Sequence, residues 1–383
     1  MDLSFILLLA FNVLLYLLVR FSKKRKWLNN VLTIAFSTLV TLTVIETAYR
    51  FFFKKKGPVE TGNYGSSMNT PIELTGFTIK NIPDIQTTKK MPDGSVVFDT
   101  HYGILPDSGF NTLPINHRRS YRSSNSVHDS AEIVFLGCSF TFGVGINDSA
   151  TIPWQVGKAL DIDVQNLGGS GFGVHQAYQI LRTKYARIPD HKKRVFIYTF
   201  IPDHLIRAKG VYSWCLNDPY FTVKGDSLHL EGPAYKFTSG ARAQVLIRVF
   251  SLNRTLSIVS DLGNNIVQAQ GAAGVNDDDY KRVELMLAEM GRLAKANGDQ
   301  FIVLHWDDYK GSQNPKGGYY VEPAKMTSIF EKIKANGVTT YNLSSFYNFS
   351  ADGNTIPNDN HPSVKGAGLV AGEIVKIIGG REK

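Results

Sequence analysis

Three side chains in this sequence have the types and order that acyl transfer requires. Ser139 follows the apolar run Ile133-Val134-Phe135-Leu136 and lies between Gly137 and Gly143. Far downstream, Asp359-Asn360-His361-Pro362-Ser363 offers a carboxylate and an imidazole together. A serine hydroxyl is a poor nucleophile until an imidazole takes its proton, and a carboxylate fixes the imidazole tautomer and stabilises the cation that forms. An apolar strand running into a glycine-bounded turn is how an α/β sheet presents such a nucleophile at its carboxyl edge. Simpler roles exist for each residue: Ser139 as a turn or cap residue, His361 as a loop histidine, Asp359 as a cap of the last helix.

The surrounding pattern supplies the elements to hold these groups. Strands are expected at 132–137, 163–167, 194–200, 300–305 and 338–343, and helices near 151–160, 174–186, 277–296, 322–335 and 365–378. Short apolar strands alternating with amphipathic helices predict a parallel sheet covered on both faces. Residues 205–275 interrupt the rhythm as an insertion beside the carboxyl edge, positioned to roof a cleft. It contains an expected hairpin at 220–230, turning at Lys224-Gly225-Asp226, and a helix near 241–262. Upstream, 57–130 reads as a polar tether (57–69) and a small β-rich lead-in without a core of its own. A hairpin turn is expected there at Met91-Pro92-Asp93-Gly94-Ser95, and 117–126 reads as polar loop.

Residues 1–56 have a different character. Two uncharged apolar runs, 3–19 and 27–45, each approach the ~20 residues a bilayer core requires. They predict a transmembrane hairpin, or one span followed by an interfacial segment at 49–53. Nine basic residues against Asp2 and Glu46 place seven of the nine net positive charges in this stretch. The basic balance therefore flanks apolar helices, and nucleic acid is excluded as the expected partner. The basic loop Arg20–Lys26 predicts a cytoplasmic hairpin tip, putting the rest of the chain on the periplasmic or other extracytoplasmic side of an inner membrane. The four basic residues at 50–56 argue the opposite way. Two cysteines, Cys138 and Cys215, exclude a disulfide framework and any CxxC site; both read as buried thiols. No metal-ligand spacing occurs, and no cofactor or metal is expected.

Taken together, three blocks resemble the SGNH (GDSL-type) hydrolase superfamily. Gly137-Cys138-Ser139-Phe140-Thr141-Phe142-Gly143 resembles its nucleophile block, with Ser139 at the nucleophile. Asn166-Leu167-Gly168-Gly169-Ser170-Gly171 resembles its second block, placing Gly171 as an oxyanion N–H donor beside the N–H of Ser139. Asp359-Asn360-His361 followed by Gly366 resembles the last block, implying Asp359 and His361 as acid and base. The resemblance covers about 132–380 and implies a flavodoxin-like three-layer α/β/α parallel sheet at 131–383, preceded by the transmembrane hairpin. The sequence departs from the family in three places. Cys138 stands where an Asp usually precedes the serine. Asn358 occupies the commoner acid position, while Asp359 has the spacing of branches acting on polysaccharide acyl groups. The oxyanion Asn of the third block is replaced within Thr199-Phe200-Ile201-Pro202-Asp203-His204, so His204 is a candidate donor and Asp203 a candidate structural partner of Arg207. His175 reads as a helix-surface or supporting residue, and His305 as a strand-end residue with no metal role.

These readings imply a membrane-anchored serine esterase acting on acyl, first of all acetyl, esters of an extracytoplasmic glycan or lipid. Two alternatives carry different expectations. An O-acyltransferase would pass acetyl groups to a polysaccharide and need a multi-span partner to deliver the donor. A non-catalytic glycan-binding module would keep the fold without turnover.

Overall fold

The computed structural model describes residues 3–21, 25–48, 82–90, 96–105, 115–118, 120–122, 131–185, 193–210, 218–234, 275–307, 309, 321–357 and 359–380. The tether, the turn 91–95, the expected helix near 241–262, Cys215 and Asn358 lie outside the described residues. The first two apolar runs form helices α1 (Leu3–Phe21) and α2 (Lys26–Ala48). They lie side by side: Asn12 Nδ2 donates to Thr43 Oγ1 at 2.9 Å, and the Tyr16 and Phe36 rings are 5.8 Å apart. Helix α2 is long and apolar enough to cross a membrane. Its Thr33, Ser37, Thr41 and Thr47 hydroxyls donate to carbonyls one turn back, which lowers the cost of polar groups in an apolar stretch.

The lead-in strands β1 (Ile82–Lys90), β2 (Val96–Leu105) and β3 (Ile115–Arg118) form an antiparallel ladder. The segment expected as loop from 117 onward thus begins with the last two residues of β3. Next come β4 (Ile133–Leu136), the one-turn helix α3 (Ser139–Phe142), α4 (Ile152–Leu160), β5 (Val164–Asn166), α5 (Val174–Ile180), β6 (Val195–Phe200) and α6 (Asp203–Ala208). The expected hairpin forms as β7 (Pro219–Lys224) and β8 (Ser227–Pro233), and the chain closes with α7 (Asp277–Ala296), β9 (Gln300–His305), α8 (Pro323–Ala335), β10 (Thr339–Asn342) and α9 (Val364–Gly379). One sheet runs β1-β2-β3-β5-β4-β6-β9-β10, and β5, β4, β6, β9 and β10 are all parallel. Counted from β4 as the first parallel strand, this is the 2-1-3-4-5 flavodoxin-like order, with β3 added antiparallel at its edge through Arg118 and Asn166.

Strand periodicity divides the core. Phe196, Tyr198 and Phe200 of β6 pack with Leu287 and Met290 of α7 and Phe330 of α8 on one face. Ile197 of β6 packs with Ile133, Phe135 and Ile302 against Val156 of α4 and Val370 and Ile374 of α9 on the other. Each such fully buried side chain contributes about 1.5–3 kcal/mol. Helix starts are fixed locally. The Thr151 hydroxyl accepts from Trp154 N, Asn276 and Asp279 form a capping box, and the Ser363 hydroxyl accepts from Gly366 N. Helix α5 ends six residues earlier than its pattern suggested and continues as a single π turn, Leu181–Tyr185. There the buried Tyr185 hydroxyl donates to Gln165 Oε1 at 2.6 Å.

Candidate active site

The chain leaves β4 for β5 on one side and returns to β6 on the other, so the carboxyl ends of β4 and β6 bound a crevice at the switch point. Ser139 stands there, as the first residue of α3 and only 6 % exposed. The turn that presents it requires Gly137. That residue has φ +152°, and a Cβ on it would lie 2.2 Å from Thr141 Oγ1 and 2.5 Å from Thr199 Oγ1, two hydroxyls hydrogen-bonded to each other between α3 and β6. Cys138, in place of the usual Asp, occupies the helix N-cap without a side-chain cap bond, and its free thiol is buried in the apolar cluster with Phe135, Phe140 and Trp306.

The second block wraps over the nucleophile turn. Asn166 Nδ2 donates to Thr141 O at 3.1 Å while its Oδ1 accepts from Gly168 N at 3.1 Å, and Gly169 N donates to Gly137 O at 3.0 Å. Residues 169–172 form a tight turn closed by Phe172 N to Gly169 O at 3.0 Å. Gly171, at its third position, has φ +79°, which a side chain would strain. Among the described residues, no carbonyl takes the N–H of Ser139 or of Gly171.

The third block is organised by a cation. Asp203 begins α6, and its carboxylate lies 3.6 Å from Arg207 Nη2, while Arg207 Nη1 donates to Phe172 O at 2.7 Å. The carboxylate that replaces the family's asparagine is thus paired one turn along, and the same guanidinium ties it to the Gly171 turn. His204 points elsewhere. Its ring is fully buried between Tyr198 and Phe200, with Nδ1 2.6 Å from the Tyr198 hydroxyl. Burial, then the charge of Arg207 and the proximity of His175, hold it well below the usual imidazole value and therefore neutral. His175 is buried rather than on the helix surface, with Nε2 3.1 Å from Asp218 Oδ2, an oxygen that also accepts from Gln176 Nε2 at 2.6 Å.

The last block is a looped-back segment. Ile356 N donates to His361 O at 3.0 Å and Ser363 N to Asn354 O at 2.9 Å, presenting His361 just before α9. His361 Nδ1 is 2.5 Å from Asp359 Oδ1, and the same oxygen accepts the His361 backbone N–H at 3.0 Å. Burial pushes the Asp359 carboxyl up. The hydrogen bond and charge of His361, with backbone N–H groups of His361 and Asn360, outweigh it and hold Asp359 below the ordinary carboxylate value. The His361 ring meets the edge of Phe140, the residue after Ser139, at 5.4 Å between centroids. Phe140 also contacts Trp306, Tyr309 and Phe349, forming an aromatic wall beside the imidazole. Burial, then the Asp203 carboxylate, with smaller contributions from Cys138 and Asp359, push the Tyr309 phenol well up, so it remains a hydroxyl donor at neutral pH.

The three motif blocks and the acid–base loop thus converge on the carboxyl edge of one 2-1-3-4-5 sheet. The fold is a flavodoxin-like, three-layer α/β/α sheet, as expected from the sequence. No family model and no curated protein matches the chain. Solved structures that match it include a GDSL-like lipase from Bacteroides thetaiotaomicron (15 % identity, TM-score 0.36, 68 % of this chain and 93 % of that one). A lipase/acylhydrolase from Enterococcus faecalis matches at 13 % identity and TM-score 0.35, over 65 % of this chain and 95 % of that one. A Corynascus thermopiles carbohydrate esterase family 2 enzyme with a carbohydrate-binding domain matches at 9 % identity and TM-score 0.36, over 70 % of each chain.

Within this frame the sequence motifs did not mark Tyr309 or Arg118, and they included Asn166 without giving it a role; what each does depends on what folds against it. His305 makes a second imidazole–carboxylate pair, Nδ1 to Asp307 Oδ1 at 2.6 Å, with its ring stacked on Phe330. Among the described residues no three His, Cys, Asp or Glu side chains gather as metal ligands. A cavity of about 790 Å³ opens at the opposite, amino edge of the sheet, by Gln300 and Thr339, away from Ser139 and His361.

Proposed function

We propose that this protein is a membrane-anchored serine esterase that removes short acyl groups, acetyl first among them, from esters on an extracytoplasmic glycan or lipid. The observation that carries this reading is the Asp359–His361 pair, set at 2.5 Å with its imidazole against Phe140, the residue that follows Ser139 in the chain. His361 takes the Ser139 proton as Oγ attacks the ester carbonyl. The backbone N–H groups of Ser139 and Gly171 receive the oxyanion, each donor stabilising the transition state by about 3–4 kcal/mol. The alcohol leaves with the proton from His361, and water, activated by the same imidazole, releases the acid. In this reading helix α2 is the anchor, and the basic loop between the helices supports an extracytoplasmic catalytic unit.

The full chain in detergent, assayed on p-nitrophenyl acetate and on acetylated oligosaccharides, tests this reading against Ser139→Ala. Acetate release falling by roughly 10³-fold or more in the variant supports the esterase. Acetyl transfer to added oligosaccharide in preference to water converts the reading to an acyltransferase served by a multi-span donor partner. Glycan binding without turnover in either protein points to a non-catalytic module.

A further inference from the structure

Arg118 belongs to no motif and comes from β3, outside the doubly wound core, yet its side chain is 0 % exposed beneath the nucleophile turn. Its Nε donates to Asp148 Oδ1 at 2.8 Å, Nη1 to Phe142 O at 2.6 Å and Gly143 O at 2.5 Å, and Nη2 to Ile146 O at 2.6 Å. The guanidinium carbon lies 5.0 Å from the centroid of the Phe142 ring. Phe142 and Gly143 close the one-turn helix that Ser139 opens, and a helix of four residues leaves its final carbonyls without intrahelical donors. The rigid fork of an arginine can meet several such carbonyls at once, as a lysine cannot.

The same turn is tied back to the nucleophile itself. Gly143 N and Val144 N both donate to Ser139 O, at 2.9 and 3.1 Å, so the peptide units that Arg118 holds are those that fix the Ser139 backbone. Asn166 grips Thr141 O from the other side. A buried guanidinium is a costly way to fill space, and an apolar side chain of similar volume is often as stable. What an apolar side chain lacks is the ability to hold three carbonyls and a carboxylate in one fixed arrangement.

We infer that Arg118 is a positioning residue for Ser139, so that the β-rich lead-in arriving from the membrane helices is part of the frame of the active site rather than a spacer. The inference rests on the reading of Ser139 as nucleophile. It also means that the unit beginning at 131 is incomplete without the strand that precedes it.

The test uses the full chain in detergent and measures, per folded molecule, the rate of Ser139 labelling by a fluorophosphonate together with kcat and KM for p-nitrophenyl acetate. Arg118→Lys is expected to lower kcat and labelling about 10- to 100-fold with KM changed less than about twofold, as misplacement of a nucleophile does. Arg118→Ala is expected to fall further than Arg118→Lys. Asp148→Asn, which leaves the arginine in place but weakens its Nε anchor, carries the test if Arg118→Lys does not fold, with an expected loss of about three- to tenfold in kcat. A folded Arg118→Lys or Asp148→Asn that labels and turns over like wild type, at whatever thermal stability, overturns the inference and leaves the nucleophile intact. Wild type that fails to label, or labels equally as Ser139→Ala, overturns the nucleophile and the inference with it.

Discussion

At the scale of single residues, the proposed chemistry of Ser139 rests on the Asp359–His361 pair. An aspartate that fixes the imidazole tautomer cannot be replaced by its amide without presenting the wrong proton to the base. Asp359→Asn is therefore expected to lower kcat by roughly 10³–10⁴-fold near neutral pH, while Asn358→Ala changes it little; steady-state kinetics of the two variants decide between the positions. Because Asp359 titrates below its unfolded value of about 3.9, its pairing adds stability that is present above that pH and lost as pH falls through the lower folded value. His204 has the same sign from the other kind of group. Its folded value lies below the unfolded imidazole value of about 6.5, so the unfolded chain binds the extra proton and stability declines as pH drops below about 6.5. The unfolding midpoint of wild type is expected to fall between pH 7 and pH 5 more steeply than that of His204→Gln, measured by thermal denaturation across that range.

At the scale of elements, the site depends on turns more than on helices. The β4–α3 junction holds Gly137 in a conformation that side chains avoid, with two threonine hydroxyls closing the space above it. Gly137→Ala is expected to destabilise the protein by about 1–3 kcal/mol, read as a lower urea midpoint at unchanged m-value, and to reduce turnover of the molecules that remain folded. The Gly171 turn is held differently, through its Phe172 carbonyl by Arg207, whose other partner is Asp203. In the third block Asp203 and Arg207 thus form an ion pair whose cation also holds the turn that contains Gly171.

At the scale of the molecule, one apolar helix of membrane-spanning length precedes a sheet whose antiparallel extension begins upstream of its parallel core. The basic loop at 20–26 sets the expected sidedness. Alkaline phosphatase fused after residue 60 is expected to be active in a bacterial host, since it folds only when exported; a cytoplasmic reporter active at the same junction would reverse the topology.

The sequence by itself determined the five parallel strands, their covering helices, the hairpin at 219–233 and the serine, aspartate and histidine at the sheet's edge. Each is written locally, in apolar periodicity, caps and glycine-bounded turns. It also carried the order of the blocks, and with it the resemblance to SGNH enzymes. Only the tertiary structure decided that β3 joins the sheet beside β5, that His204 turns inward to Tyr198, and that Arg207, besides pairing with Asp203 as expected, reaches the Phe172 carbonyl. It alone brought Arg118, from a stretch that reads as polar loop, beneath the nucleophile turn. Those choices depend on which buried groups meet once the chain has folded, as Arg118 meets carbonyls 24 to 28 residues away. A local pattern records that a residue is polar, whereas its partner is known only once the chain has closed around it.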